Sequence, residues 1–251
     1  MGAAHRAEGF GAPGNSRAAV AAAVPAGVPI VEIDLRQSSD REVFVFHDVR
    51  LDPATTGAGR IDTLPAAAIE QARIANGESL PQFPDIYALT RGRAVVSVDF
   101  KTDPEVIERT ADWIHAHGSS DDLIFFLNTG QEMATAARVK RRDPLMIVMV
   151  RLLDTRVTVE STRAVFGALP EIFHTETGAA VLWRLLPRNE VGTLHALGPK
   201  AYVNALPVER WWAPLRAVAM RLLLRTGVDV VLTGHAPALM RVLDAAPPGT
   251  R

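Results

Sequence analysis

Short, continuous apolar runs rich in Val and Ile constrain this chain more than any other feature. They lie at Val28 to Leu35, Val43 to Phe46, Ala94 to Phe100, Leu123 to Leu127, Leu145 to Val150, Glu171 to Phe173, Ala201 to Val203 and Val228 to Leu232. Runs this short and this apolar mark strands buried on both faces. Helix-compatible stretches follow most of them: Asp103 to His117, Gly130 to Arg142, Thr158 to Gly167, Arg188 to Leu197, Glu209 to Thr226 and Pro237 to Asp244. Asp103-Pro104 puts Pro at a helix start, and Gly118, Gly198 and Gly227 sit where C-terminal caps belong. Strand and helix in alternation build a parallel sheet covered by helices. A chain of 251 residues has the length at which such a sheet closes into a barrel, typically ~250 residues. The expected fold is α/β, a TIM-like (β/α)8 barrel in a single domain spanning 1–251.

One segment breaks the alternation. From Asp48 to Arg93 the chain is rich in Pro, Gly and Thr, as in Asp52-Pro53, Thr55-Thr56-Gly57-Ala58-Gly59, Leu80-Pro81 and Phe83-Pro84. It is too long for a simple βα loop. The expectation is an excursion over residues 48–93, after the second barrel strand and near the barrel mouth. It carries a weak helical piece at Ala66 to Ala75 and ends on a helix at Asp85 to Thr90.

Charge and composition exclude several classes of function. The formal net charge is −1, and the basic run Lys140-Arg141-Arg142 reads as a solvated helix end, so no nucleic-acid partner is expected. No apolar run approaches the ~20 residues of a membrane span, and the alanine-rich stretch Ala18 to Ala26 is broken by Pro25. The absence of cysteine removes disulfides, thiolate metal sites and a cysteine nucleophile together, but is compatible with either redox compartment. A cytoplasmic location is the expectation, or a periplasmic or secreted one if a leader has been removed. Oligomeric state is not legible.

Charged and imidazole side chains gather at the ends of the first runs. In Val31-Glu32-Ile33-Asp34-Leu35 the period-two alternation puts Glu32 and Asp34 on one side and the apolar residues on the other. Two carboxylates side by side in a barrel mouth call for a cation, and an oxygen-ligated divalent metal suits them; the alternative is an edge strand with solvated acids. Val95 to Lys101 repeats the geometry, so Asp99 becomes a third oxygen ligand and Lys101 a point charge for a phosphate, unless the two form only a local salt bridge. His47 follows Val43 to Phe46 directly and precedes Asp48, and His5-Arg6 lies near the start. A lone histidine is more often structural, but a pair can take and give a proton in one reaction, and the Arg6 guanidinium suits phosphate oxygens.

Taken together, these residues resemble the glycerophosphodiester phosphodiesterase family. Its pattern runs HRG, E-x-D, HD with a Thr and Gly rich loop, then E-x-K. The counterparts here are His5-Arg6-Ala7, Glu32-x-Asp34, His47-Asp48 with Leu51, Thr55, Thr56, Gly57 and Gly59, and Asp99-x-Lys101. Ala201 to Asn204 and Gly227 to Thr233 are similar to its seventh and eighth strands. The resemblance implies a TIM-like barrel, a divalent ion (Mg2+ or Ca2+) on Glu32, Asp34 and Asp99, His5 and His47 as general acid and base, and Arg6 and Lys101 on phosphate. It implies hydrolysis of a small-molecule phosphodiester to glycerol 3-phosphate and an alcohol.

The chain departs from the family pattern in several places. Ala7 replaces Gly, Pro13-Gly14-Asn15-Ser16 replaces Pro-Glu-Asn-Thr, Gln82 replaces a Glu-containing pattern, Thr233-Gly234-His235 replaces a Thr-Asp pair, and Asp99 is shorter than the usual Glu. An Asp at that last position also occurs in the related sphingomyelinase D-like phospholipases, which form cyclic phosphates; they give a second reading. A third is a barrel that binds a phosphorylated ligand without turning it over.

Other polar and aromatic residues lie outside the pattern. His115, His117 and His195 fall at helix ends, where a structural role is expected. His174 with Glu176 follows a strand and could reach the mouth, and His235 sits where barrels often bind phosphate. Trp211 and Trp212 open a helix and would either form a rim for a headgroup or pack inward. The stripe Leu215, Val218, Ala219 and Leu222 is expected to face the barrel.

Overall fold

The computed structural model describes residues 1–152, 155–176, 188–206 and 213–245. Among the described residues nine strands form one sheet: β1 (Gly2–Ala4), β2 (Ile30–Gln37), β3 (Val43–Val45), β4 (Val95–Phe100), β5 (Leu123–Leu127), β6 (Ile147–Arg151), β7 (Ile172–Glu176), β8 (Lys200–Asn204) and β9 (Val230–Thr233). Eight of these run parallel in the order β1-β9-β8-β7-β6-β5-β4-β2, and pairing of β1 with β2 closes the ring. The result is the (β/α)8 barrel expected from the alternation.

Helices cover the outside: α1 (Arg17–Ala23), α2 (Ala66–Ile69), α3 (Phe83–Thr90), α4 (Glu105–His117), α5 (Gly130–Arg142), α6 (Thr155–Phe166), α7 (Arg188–Leu197), α8 (Ala213–Arg225) and α9 (Ala236–Asp244).

Strand alternation sorts the side chains into two cores. Val31, Ile33, Leu35, Val96, Val98, Phe125, Val148 and Val203 point outward and pack under the helices. Ala3, Ile30, Ile124, Phe126, Met149, Ile172, Tyr202, Val230 and Leu232 point inward and fill the barrel. Because inward positions recur every second residue, Ile30 is followed on the same face by Glu32 and Asp34, one and two layers nearer the carboxyl ends. The interior is therefore apolar at the bottom and charged at the mouth.

Two sequence readings are corrected by the topology. Val43 to Phe46 is no barrel strand: β3 pairs antiparallel with β2 (Leu35↔Val45, Arg36↔Phe44, Gln37↔Val43) as a hairpin outside the ring. Its place in the barrel count is taken by β1, whose Gly-Ala-Ala sequence carries no β-branched signal. On α8, Leu215 (51% exposed) and Val218 (48%) face solvent, and the buried residues are Ala219, Met220 and Leu223. Ala219, Met220 and Leu223 share an arc of about 100° on one side of the helix, and Leu215 and Val218 lie roughly 90° and 150° from its middle.

After β3 the chain builds a small core of its own. Phe44, Phe46, Leu51, Ile61, Ile69 and Leu80 pack together beside the mouth, and Val45 N–H donates to the Pro81 carbonyl at 2.8 Å. Helix α3 then packs on α1 and β4 in the helical layer.

Candidate active site

The three acids meet because of register. Asp34 of β2 is paired with Asp99 of β4, and Glu32 with Ser97, so the carboxylates of two neighbouring strands stand side by side on the inner face. One oxygen from each of Glu32, Asp34 and Asp99 lies within 4.8 Å of the others, and all three residues are buried. They form one wall of a cavity of about 210 Å³ that is also lined by His5, Arg6, His47, Lys101, Asn128, Arg151, His174 and Tyr202. The residues given chemistry by the family pattern, His5, Arg6, Glu32, Asp34, His47, Asp99 and Lys101, all line this cavity.

Backbone and side-chain bonds fix the acids. The Arg6 amide donates to Glu32 Oε2 at 2.8 Å, and Arg6 Nε lies 3.2 Å from Asp34 Oδ2. Lys101 Nζ stands 2.7 Å from Asp99 Oδ2 and 3.7 Å from Asp34 Oδ1. The salt bridge between Asp99 and Lys101 is therefore present, with the lysine also facing Asp34. His47 is carried to the rim by the hairpin: Phe46 N–H donates to the Asp34 carbonyl at 3.0 Å, and Arg36 Nε donates to the His47 carbonyl at 2.6 Å. Its Nδ1 lies 2.8 Å from Asp48 Oδ1.

The electrostatics follow from crowding. Burial raises the Glu32 carboxyl well above its ordinary value, and the charges of Asp34 and Asp99 raise it further against the opposing Arg6 amide and guanidinium. Asp99 is raised as well, by burial first, against Lys101 and Asn128. For Lys101 burial works downward, but Asp99, Asp34 and Glu32 outweigh it and the ammonium is held above its usual range. Three acids with two cations beside them crowd negative charge onto a buried wall of the cavity. That donor set, all hard oxygen, matches a divalent cation such as Mg2+ or Ca2+.

Two residues support the acids with no role assigned to them from the sequence: Asn15, which stands in the Pro13-Gly14-Asn15-Ser16 segment, and Asn128. Asn15 Nδ2 donates to Asp34 Oδ2 at 2.9 Å, and Asn15 Oδ1 accepts from the Asp34 amide at 3.2 Å. Asn15 adopts φ 57, a region Asn tolerates better than most residues. Asn128 Nδ2 donates to Asp99 Oδ1 at 2.9 Å. It sits one residue past β5, ahead of the capping box in which Thr129 and Glu132 bond each other's amides. A polar residue at a strand's carboxyl end just before a Thr-x-x-Glu helix start was the available signal.

The remaining histidines separate by place. His174 is 3% exposed, at the cavity floor between Phe126 and Tyr202, so it does reach the barrel interior. His117 stacks on Trp113, and His195 Nε2 lies 2.7 Å from Asp229 Oδ2 at the opposite end of β9. His235 stands at the head of α9, its amide donating to Thr233 Oγ1 at 3.0 Å. Trp211 and Trp212 lie outside the described residues. Among the described residues, no helix is long and apolar enough to cross a membrane.

Comparison with known proteins agrees with this geometry. A search of curated proteins finds no match. Among solved structures, a glycerophosphoryl diester phosphodiesterase from Parabacteroides distasonis superposes with a TM-score of 0.82 at 20% identity, covering 99% of this chain and 87% of that one. A glycerophosphodiester phosphodiesterase from Agrobacterium tumefaciens gives 0.75 at 21% identity, covering 95% and 97%. A phosphodiesterase from Oleispira antarctica, in complex with the product sn-glycerol-3-phosphate, gives 0.78 at 19% identity, covering 98% and 97%. At these identities the structural likeness speaks for the fold. Residues 5–236 match the family described as "Glycerophosphoryl diester phosphodiesterase family", a span holding all three acids and both mouth histidines, so the chain belongs to that family of phosphoric diester hydrolases.

Proposed function

We propose that the protein hydrolyses glycerophosphodiesters to glycerol 3-phosphate and an alcohol, with His5 and His47 as its acid and base. The observation that carries the reading is the buried cluster of Glu32, Asp34 and Asp99, with ligand oxygens within 4.8 Å of one another, on the wall of a cavity that both histidines line. The glycerol 3-phosphate bound to the Oleispira antarctica relative supports the product assignment.

Glu32, Asp34 and Asp99 would hold a divalent cation, Mg2+ or Ca2+, which when bound supplies Lewis-acid polarisation of the phosphoryl oxygens. The chain's own residues do the rest. Arg6 and Lys101 place positive charge on the same side as the acids and orient the diester's non-bridging oxygens. One histidine takes a proton from the attacking water as the new P–O bond forms. The other gives a proton to the departing alcohol oxygen as the old P–O bond breaks. The depth of the acids, each under a tenth exposed, lowers the local dielectric around them and strengthens their contacts with Arg6 and Lys101.

The test is incubation with glycerophosphocholine and Mg2+ or Ca2+, with and without chelator. Metal-dependent release of glycerol 3-phosphate and choline is expected. A cyclic phosphate from lysophospholipid would move the assignment to the sphingomyelinase D-like reaction, and binding without product would make the barrel a phospho-ligand receptor.

A further inference from the structure

We propose that Glu8 is a positioning residue for His5, holding the Nδ1 side of the imidazole so that Nε2 is the nitrogen offered to the cavity. The inference rests on the reading of His5 as an acid or base in the proposed reaction. Directly after β1 the chain makes a tight turn in which Arg6 and Ala7 take φ of 49° and 58°. The Glu8 amide donates to the His5 carbonyl at 2.8 Å. This turn brings the position-8 side chain back against the ring. Glu8 Oε2 stands 3.6 Å from His5 Nδ1, and Nδ1 is buried with no hydrogen-bond partner among the described residues. That separation is slightly longer than a hydrogen bond, a gap of the kind that closes when substrate orders a site.

A second observation points the same way. A Cβ built on Gly14 would lie 2.6 Å from Glu8 Oε1 and 2.9 Å from Glu8 Cγ, both impossibly close. Gly14 is not among the residues of positive φ, so its backbone does not itself require glycine. The missing side chain at position 14 leaves the space in which the Glu8 carboxylate sits. The His5 ring holds that carboxyl below the usual range against partial burial, and Arg6 and His235 add to the effect, so a charged acceptor faces Nδ1. A carboxylate on one ring nitrogen fixes the tautomer and orientation of an imidazole whose other nitrogen does the chemistry.

Steady-state kinetics of the full chain on glycerophosphocholine test this. Turnover by the unsubstituted enzyme comes first, and its absence would overturn the proposed function itself rather than the role of Glu8 within it. With that activity in hand, Glu8→Gln is expected to lower kcat on the order of 10–100-fold, the size that follows loss of a histidine-orienting partner, with KM within about twofold. In a His5→Ala background the same substitution should cost nothing further, because the two residues act as one unit. Gly14→Ala provides the check from the other side. It should depress kcat in the native chain by displacing the carboxylate, and once Glu8→Ala has removed it should leave only the smaller effect of its 3.0 Å approach to Arg6 Cβ. A Glu8→Gln enzyme with native kcat, or losses that multiply independently with His5→Ala, would overturn the assignment.

Discussion

Glu32 has its charge state decided first by burial, which raises its carboxyl well above the ordinary range, and then by its neighbours: Asp34 and Asp99 repel a negative charge, and the Arg6 amide attracts one. Glu32→Gln keeps the shape and the acceptor for Arg6 but removes the charge. Calorimetric titration with Mg2+ or Ca2+ should then show affinity reduced at least tenfold, and an unchanged titration would take Glu32 out of the ligand set. His47 differs because its side chain is 38% exposed at the rim and contributes little packing. His47→Ala should lower turnover by about 10²–10⁴-fold with a melting temperature close to native; near-native turnover would remove it from the mechanism. His174 gives a pH prediction with a definite sign. Burial first, then the charges of Arg151 and Lys101, push its pKa from 6.5 down to about 3. The unfolded chain therefore binds the proton that the folded one refuses, and this contribution to stability is complete above pH 6.5 and is lost as pH falls toward 3. Urea titrations across that range should show an acid limb that His174→Phe flattens; an equally steep limb in the variant would assign acid sensitivity to other groups. The acids were legible because charge on alternate residues of an apolar strand has few explanations. Asn15 and Asn128 were not, because a single amide shows its purpose only when its partner across the barrel is known.

At the scale of elements, direction and closure were the hidden quantities. Apolar runs gave most of the parallel strands, but periodicity is the same for parallel and antiparallel strands, so Val43 to Phe46 could not be placed. Strand β1 carries no β-branched run of its own: His5 reads as a strand-end histidine, but three small residues make a strand only because β2 and β9 flank them. Helix α1 was hidden likewise inside an alanine-rich stretch, although Ser16 caps it by accepting from the Ala19 amide at 3.0 Å. At the amino end of β9, Asp229 ties neighbouring elements together. Its carboxylate accepts from the Ala201 amide at 2.8 Å and meets His195 of α7 at 2.7 Å and Lys200 of β8 at 3.1 Å. Asp229→Ala leaves that amide without its acceptor and should cost about 1–3 kcal/mol in urea unfolding. Because the residue lies at the end of the barrel away from the acids, kcat should be unchanged. A variant as stable as the native chain would show that solvent replaces the carboxylate freely.

For the whole molecule, the site and the fold draw on the same free energy. The barrel closes around an inner face whose upper layer holds Glu32, Asp34 and Asp99, all buried, with Arg6 and Lys101 as the cations beside them. The repulsion is a standing cost of the metal-free fold, since the same three groups are far apart and hydrated when the chain unfolds. A divalent cation binds only the folded arrangement, so at a hundred times its dissociation constant it should add about 2.7 kcal/mol, which for a chain of this length is a rise in melting temperature of roughly 5–10 °C. Chelator should reverse the rise. Asp99→Asn should behave oppositely in the two states, melting higher than the native chain without metal and gaining less from metal. Differential scanning fluorimetry of both proteins with Mg2+, Ca2+ and chelator decides the matter. If the native chain melts at one temperature in all three conditions, the acids are not holding a shared cation, and their burial together must be explained by a shared proton instead.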